Sequence, residues 1–373
     1  MLEIYLPIVQ VNVDIFLLLF LSLLVGVLSG LFGVGGGFLM TPFLIFMGIP
    51  PVYAVPNEVN NILATSVSGS LTHWFKNTLD YKMGSMIMCG GIVGTTAGMM
   101  TFSYFSDIGK ISTIISLLYM NLLAIVGVLM LVDTFRDSRK KEKAKKKLHE
   151  HNWFQGLPFR MRFPKSRLYE SAFTPILLGL IVGFVASMMG IGGAFLMVPA
   201  MIYIVGMPVK LIPGTSLFVT IFISAIVTVL HAFNYGSIDL FLVVPLIFGS
   251  IVGVQLGQKL GQYLDSSHLK SLFALLLCSV AAAIAYDSFL RDKTEFNGTQ
   301  IVKPDLGSLA EFSLKFNNEA PFLYGALAIL LAITLGGLTA WIRRFMSPVV
   351  RKLLSDFRSK NQTKKNEVKF PEK

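Results

Sequence analysis

Long apolar runs, broken by short charged or turn-forming segments, dominate this chain. Residues 15–57 contain no Asp, Glu, Lys, Arg or His, and neither do residues 171–209. About 20 apolar residues cross a bilayer as one helix, so each run is long enough for two helical arms. The same pattern predicts apolar helices at 13–33, 38–50, 58–76, 84–104 and 111–132. It predicts a second set at 172–190, 194–207, 214–234, 240–260 and 270–289, and a last span at 321–342. The expected fold class is all-α, a polytopic membrane protein. Its parts are a first membrane repeat (1–132), a basic cytoplasmic loop (133–171), a second membrane repeat (172–289), a polar external loop (290–320), the last span (321–342) and a basic cytoplasmic tail (343–373).

The two sets of helices are copies. Gly26 to Pro42 aligns without a gap on Gly183 to Pro199, with eight of seventeen positions identical. Gly48 and Pro50 then pair with Gly206 and Pro208, His73 with His231, and Asp80 with Asp239. Gly90, Gly94 and Gly98 pair with Gly249, Gly253 and Gly257. Thr65-Ser66 pairs with Thr215-Ser216 if Asn57 to Ala64 is taken as an insertion in the first half.

Composition adds little to the membrane reading, but charge orients it. The chain is 54% hydrophobic and 14% charged, against about 25% charged in soluble domains. Of a net charge of +11, residues 133–170 contribute twelve Lys/Arg against five Asp/Glu, and residues 343–373 ten against three. The rest of the chain is net negative. Basic loops stay in the cytoplasm, and such charges can also meet anionic lipid headgroups. The run from Arg139 to Lys147 has no interleaved aromatics to stack bases, so no nucleic-acid partner is expected. Met1 to Asp14 carries Glu3 and Asp14 and no base. It lacks the basic start of a signal peptide and suits the outside. With residues 287–319, which hold six acids against four bases, also outside, the spans close only if the repeats are inverted, a signature of secondary transporters.

Two glycine clusters carry the sharpest chemistry. Gly33, Gly35, Gly36 and Gly37 stand in the first half, and Gly190, Gly192 and Gly193 in the second. Each glycine costs a helix about 1 kcal/mol relative to alanine, so the helices should break there. Broken backbone at membrane depth is tolerated only where protein buries it or water reaches it. The arms that follow would present free N–H groups and a positive dipole end to an anion. The regular triplets Gly90/Gly94/Gly98 and Gly249/Gly253/Gly257 suit close helix packing instead. Neither cluster has the spacing of a nucleotide loop.

Polar residues inside the third helix of each half are the next candidates. Thr65, Ser66, Thr215 and Ser216 join the glycines as substrate-binding candidates, although hydroxyls can also bond their own helix backbone. Glu58, His73 and His231 are proton-coupling candidates. Cys89 and Cys278 lie in apolar runs and suggest neither a disulfide framework nor a metal site. No cofactor and no metal is expected.

In the stretch from Gly30 to Pro42, in its copy ending at Pro199 and in the Thr-Ser pairs, the sequence resembles the sulfite exporter TauE/SafE family of bacterial membrane transporters. The resemblance covers roughly residues 15–132 and 172–289. It implies a permease for small anions such as sulfite, sulfonates and related sulfur compounds. The Asn57 to Ala64 segment, the long basic loop and the extra terminal span depart from the minimal pattern.

Three function classes follow: a secondary transporter alternating access around paired breaks, a passive anion channel, or a membrane-embedded enzyme. The last needs a catalytic cluster, and neither His-Glu-x-x-His nor Gly-x-Ser-x-Gly occurs, so no enzyme is expected. The expected partners are a small anionic substrate and the lipid bilayer, with a homo-oligomer left open. The expected location is the inner (plasma) membrane of a bacterial cell, crossed many times.

Overall fold

The structure is a computed structural model that describes residues 3–32, 39–139, 159–208, 210–260, 266–289 and 308–341. Each half opens with a small antiparallel β-hairpin that the apolar pattern does not announce. Strands β1 (Glu3–Leu6) and β2 (Val11–Asp14) pair with Glu3 opposite Asp14. Strands β3 (Arg160–Phe163) and β4 (Leu168–Ser171) pair with Arg160 opposite Ser171. The last turn residue of each hairpin is left-handed, Gln10 at φ 60 and Arg167 at φ 55. The second hairpin falls within the segment read from sequence as a loop.

Five helices follow in each half. The first half has α1 (Ile15–Phe32), α2 (Met40–Phe46), α3 (Pro51–Phe75), α4 (Tyr81–Asp107) and α5 (Ile111–Arg139). The second has α6 (Phe173–Met189), α7 (Ala194–Tyr203), α8 (Ile212–Tyr235), α9 (Leu240–Leu260) and α10 (Ser266–Phe289). Helices α11 (Ser308–Glu319) and α12 (Pro321–Trp341) complete the chain. Part of the expected polar external loop is thus helical.

Among the described residues, α4, α5, α8, α9 and α12 are long and apolar enough to cross a membrane. Arms α2 and α7 are not. The ten residues of α7 rise about 15 Å, half of a hydrocarbon core of roughly 30 Å. The helical arm after Gly193 is therefore too short to cross a bilayer by itself.

The halves interlock rather than sit side by side. Helix α4 lies along α6, and α1 along α9, each pair running parallel. A Cβ on Gly90, Gly94 or Gly98 would stand 1.9, 2.0 or 2.5 Å from the carbonyl oxygen of Ile176, Leu180 or Phe184. A Cβ on Gly253 or Gly257 would likewise stand 2.2 or 2.1 Å from the carbonyl oxygen of Leu23 or Val27. The regular glycine triplets thus serve close packing, as small residues do between membrane helices.

Helices α3 and α8 form the centre and run antiparallel. Gly69 meets Leu217, and further along α3 His73 meets Gly214, earlier on α8. Helix α12 covers the back of α3, with Gly336 against the Ala64 carbonyl and Thr339 Oγ1 donating to Ser68 Oγ at 3.1 Å. Around this centre, Phe16, Phe20, Val93, Met100, Tyr104, Leu129 and Leu275 point outward and exposed, as a lipid-facing surface requires.

Candidate functional site

The second glycine cluster breaks the backbone as its composition requires. Helix α6 ends at Met189, and Gly190, Gly192 and Gly193 take φ of 73, 65 and 81. An L-residue in that left-handed region costs roughly 1–2 kcal/mol. Helix α7 restarts with Gly193 as its N-cap. The break is seated on α3: a Cβ on Gly190 would meet Val55 at 3.0 Å, and one on Gly192 would meet Ile62 at 2.4 Å. The counterpart glycines, Gly33, Gly35, Gly36 and Gly37, lie outside the described residues.

Val55, Glu58 and Ile62 share one face of α3 by helical spacing, so Glu58 lies between the two residues that touch the break. Glu58 is fully buried. The Asn61 amide Nδ2 donates to both its carboxylate oxygens, at 3.3 and 3.2 Å, and to Ser250 Oγ at 3.0 Å. The Ser250 hydroxyl in turn donates to the Ser22 carbonyl at 3.4 Å. Tyr119, buried on α5, donates its hydroxyl to the Met189 carbonyl at 2.6 Å. That bond holds the last carbonyl before the break.

Helix α8 closes the other side. The same number of residues separates Gly69 from Glu58 as separates Leu217 from Thr228, so on antiparallel helices Glu58 and Thr228 lie level. Ser66 on α3 and Ser224 and Thr228 on α8 are buried with no protein partner for their hydroxyls, and His231 Nδ1 is also unpartnered. A buried polar group left unsatisfied costs about 1–3 kcal/mol. Such a concentration suits water or a polar ligand between the helices.

The remaining sequence candidates disperse. Thr65 Oγ1 donates to the Asn61 and Ile62 carbonyls at 3.2 and 3.0 Å. Ser216 Oγ donates to the Pro213 carbonyl at 3.1 Å. Thr215 Oγ1 donates to the Leu211 carbonyl at 2.9 Å and accepts the Asp80 N–H at 3.1 Å. His73 is half-buried at one end of the α3–α8 pair, its Nδ1 2.9 Å from Thr78 Oγ1. His231 is buried toward the other end, with Nε2 3.2 Å from the Ser187 carbonyl and its ring 4.6 Å from that of Phe102.

The pairing of Thr65-Ser66 with Thr215-Ser216 needs correction. Helix α3 has 25 residues and α8 has 24, so the first half carries no insertion. The counterpart of Thr215 is Asn57, whose Oδ1 accepts the Asp239 N–H at 2.7 Å. Thr65 sits mid-helix, whereas Thr215 sits in a first turn. A two-residue identity between hydroxyl-rich helices misaligned them.

Two acids known from sequence only as repeat markers turn out to be joints. Asp80 caps α4 through Oδ1, which accepts the Met83 N–H at 3.1 Å, while Oδ2 accepts the Ser166 N–H at 3.1 Å and the Ser166 hydroxyl. Asp239 does the same for α9. Its Oδ1 accepts the Phe241 N–H at 3.0 Å, and its Oδ2 accepts the N–H groups of Ile8 and Val9 at 2.9 and 3.4 Å. Burial pushes the Asp239 carboxyl above the usual carboxylate range, against the pull of the backbone N–H groups.

Membrane-length helices interlocked around a broken one, with a buried polar interior beside the break, define a polytopic membrane transporter. The profile of the sulfite exporter TauE/SafE family matches residues 18–284, and the chain belongs to that family. It is 29% identical to the probable membrane transporter protein YjnA of Bacillus subtilis over 70% of this chain and 95% of the relative. It is 26% identical to a probable membrane transporter protein of Methanocaldococcus jannaschii over 70% and 91%. No solved structure matches the chain. The protein is accordingly a multi-pass protein of the plasma membrane. Helices α11 and α12 lie beyond the matched stretch.

Proposed function

We propose that this protein is a secondary transporter of a small anion, sulfite, a sulfonate or a related sulfur compound, working by alternating access around paired helix breaks in two inverted repeats. The observation that carries the reading is the left-handed break at Gly190, Gly192 and Gly193, seated on the α3 face that holds buried Glu58. The equivalent helices α3 and α8 run antiparallel. A rotation relating antiparallel helices has its axis across them, in the membrane plane, which supports inversion.

No Lys or Arg side chain takes part in the described site, so the bound anion would be met by the N–H groups at the start of α7 and by the unpartnered hydroxyls. An ionised Glu58 would oppose it. Two like charges about 4 Å apart repel by about 4 kcal/mol at an effective dielectric near 20. The anion and a proton on Glu58 would therefore enter together, which makes Glu58 the coupling residue. Glu3, Asp14 and the 290–320 region are assigned to the outside, and the two basic segments to the cytoplasm.

The test is counterflow in proteoliposomes of purified protein, with sulfite, thiosulfate, sulfonates and carboxylates as probes. Saturable exchange of at least one anion against itself is the expected result. Flux that saturates with none of them and shows no counterflow would favour a channel and overturn the reading.

A further inference from the structure

The two β-hairpins take no part in the site, yet each is bonded across the halves in the same way. Ser166, in the β3–β4 turn of the second half, binds the Asp80 carboxylate of the first, and the Asp80 N–H donates to Thr215 on α8 at 3.1 Å. Ile8 and Val9, in the β1–β2 turn of the first half, bind the Asp239 carboxylate of the second. The Asp239 N–H donates to Asn57 on α3 at 2.7 Å. Each acid thus ties its own helix start, a hairpin turn and a central helix together.

Thr215 lies in the first turn of α8 and Asn57 in the second turn of α3. Those helices are antiparallel, so the two joints sit at opposite ends of the central pair. The hairpins close those ends with apolar residues: Leu6, Val9 and Val13 on one, Phe163 on the other, all buried. A two-stranded hairpin is marginal alone, so its seat depends on these contacts and on the acid. The second hairpin has two further ties at the surface, Lys82 Nζ to the Arg162 carbonyl at 2.8 Å and Lys165 Nζ to Asn77 Oδ1 at 2.6 Å.

A bond that spans the halves must break if they part at that end, and a bond at the far end can hold meanwhile. The geometry points to Asp80 and Asp239 as reciprocal latches: Asp239 with the Ile8 turn shuts the end of the α3–α8 pair nearer Glu58 and His231, Asp80 with Ser166 shuts the other, and the cycle opens one at a time. Both are closed here, so this form is shut at both ends. The acids touch no substrate; they are positioning residues. The inference rests on the alternating-access reading.

The experiment uses the full chain in proteoliposomes, with Cys89→Ser and Cys278→Ser as background and Ser224→Cys as a reporter of access. Asp80→Cys with Ser166→Cys supplies a disulfide lock, and a membrane-impermeant maleimide is applied from either face. Peptide mass spectrometry assigns the label. Oxidation should abolish labelling at position 224 from the face of the β3–β4 hairpin, leave it from the opposite face, and be reversed by reductant. Labelling from the locked face at the unlocked rate overturns the latch. Asp239→Ala, which needs no disulfide, should raise labelling from the β1–β2 face, and an unchanged rate there also overturns it. If the unlocked protein labels from one face only, the alternating-access reading fails, and that result is distinct from a lock without effect.

Discussion

The backbone N–H of Ser166 donates to Asp80 across 3.1 Å, joining the hairpin that opens the second half to the residue that caps α4 in the first. Its mirror is the 2.9 Å bond from Ile8 to Asp239. With α1 lying along α9 and α6 along α4, neither half encloses a core alone. The duplicated sequence therefore yields one interwoven bundle, with the polar interior along the seam. Motion that exposes that interior has to work against the seam, and the break between α6 and α7 supplies backbone that can give.

Glycine at a break and glycine at a turn should respond differently to a methyl group. Gly192 and Gly206 both sit at positive φ, 65 and 69. A Cβ on Gly192 would meet Ile62 at 2.4 Å, whereas one on Gly206 would meet nothing within 4 Å. Gly206→Ala should cost only the conformational penalty, about 1–2 kcal/mol, and leave anion exchange near normal. Gly192→Ala should add displacement of Ile62, beside Glu58, and lose most exchange while the protein still inserts. Equal exchange rates for the two variants in proteoliposomes would show that the break is not part of the site.

How far the sequence leads depends on the range of the interactions involved. The helices, their duplication and the break at Gly190–Gly193 are legible because they depend on local backbone preference and on run length. The close-packing role of Gly94 is legible from its four-residue spacing. The hairpins are not: strands of four residues such as Glu3–Leu6, in segments flanked by charge, read as loops. Asp80 and Asp239 are visible as a repeated pair, but their partners Ser166 and Ile8 are remote in sequence, and Ile8 binds through its backbone N–H alone, which leaves no residue signature. Tyr119 is hidden for the same reason, since it acts on a carbonyl at Met189. The Thr65/Thr215 pairing fails because hydroxyls recur along both α3 and α8, so a short match can slide by two turns.

Asp239 gives a pH dependence with a defined sign. Its carboxyl is pushed above the ordinary value by burial, so ionisation is penalised in the folded protein. That penalty is absent below the unfolded value, about 3.9, and complete above the folded one. Stability contributed at this site therefore falls as pH rises through the window and grows on acidification. Asp239→Asn cannot ionise and lacks the effect. The melting temperature of the native protein, taken relative to Asp239→Asn, should rise as pH is lowered from about 7 to about 4. A difference that does not change with pH would contradict the buried, unfavourably ionised carboxylate.

Glu58 and Tyr119 should separate coupling from architecture. Glu58→Gln keeps the size of the side chain and an oxygen to accept from Asn61, whose amide now donates to both carboxylate oxygens, but it cannot release a proton. Exchange of anion for anion needs no net proton movement and should persist, whereas uptake driven by a pH gradient should vanish. Tyr119→Phe leaves Glu58 intact and removes the donor to the Met189 carbonyl. The buried oxygen then lacks that partner at a cost of about 1–3 kcal/mol, so the melting temperature should drop and the apparent KM should rise, with gradient-driven uptake still present. Measuring exchange and gradient-driven uptake side by side on both variants decides the matter. Full gradient-driven uptake by Glu58→Gln would remove Glu58 from proton coupling and leave it as a structural partner of Asn61.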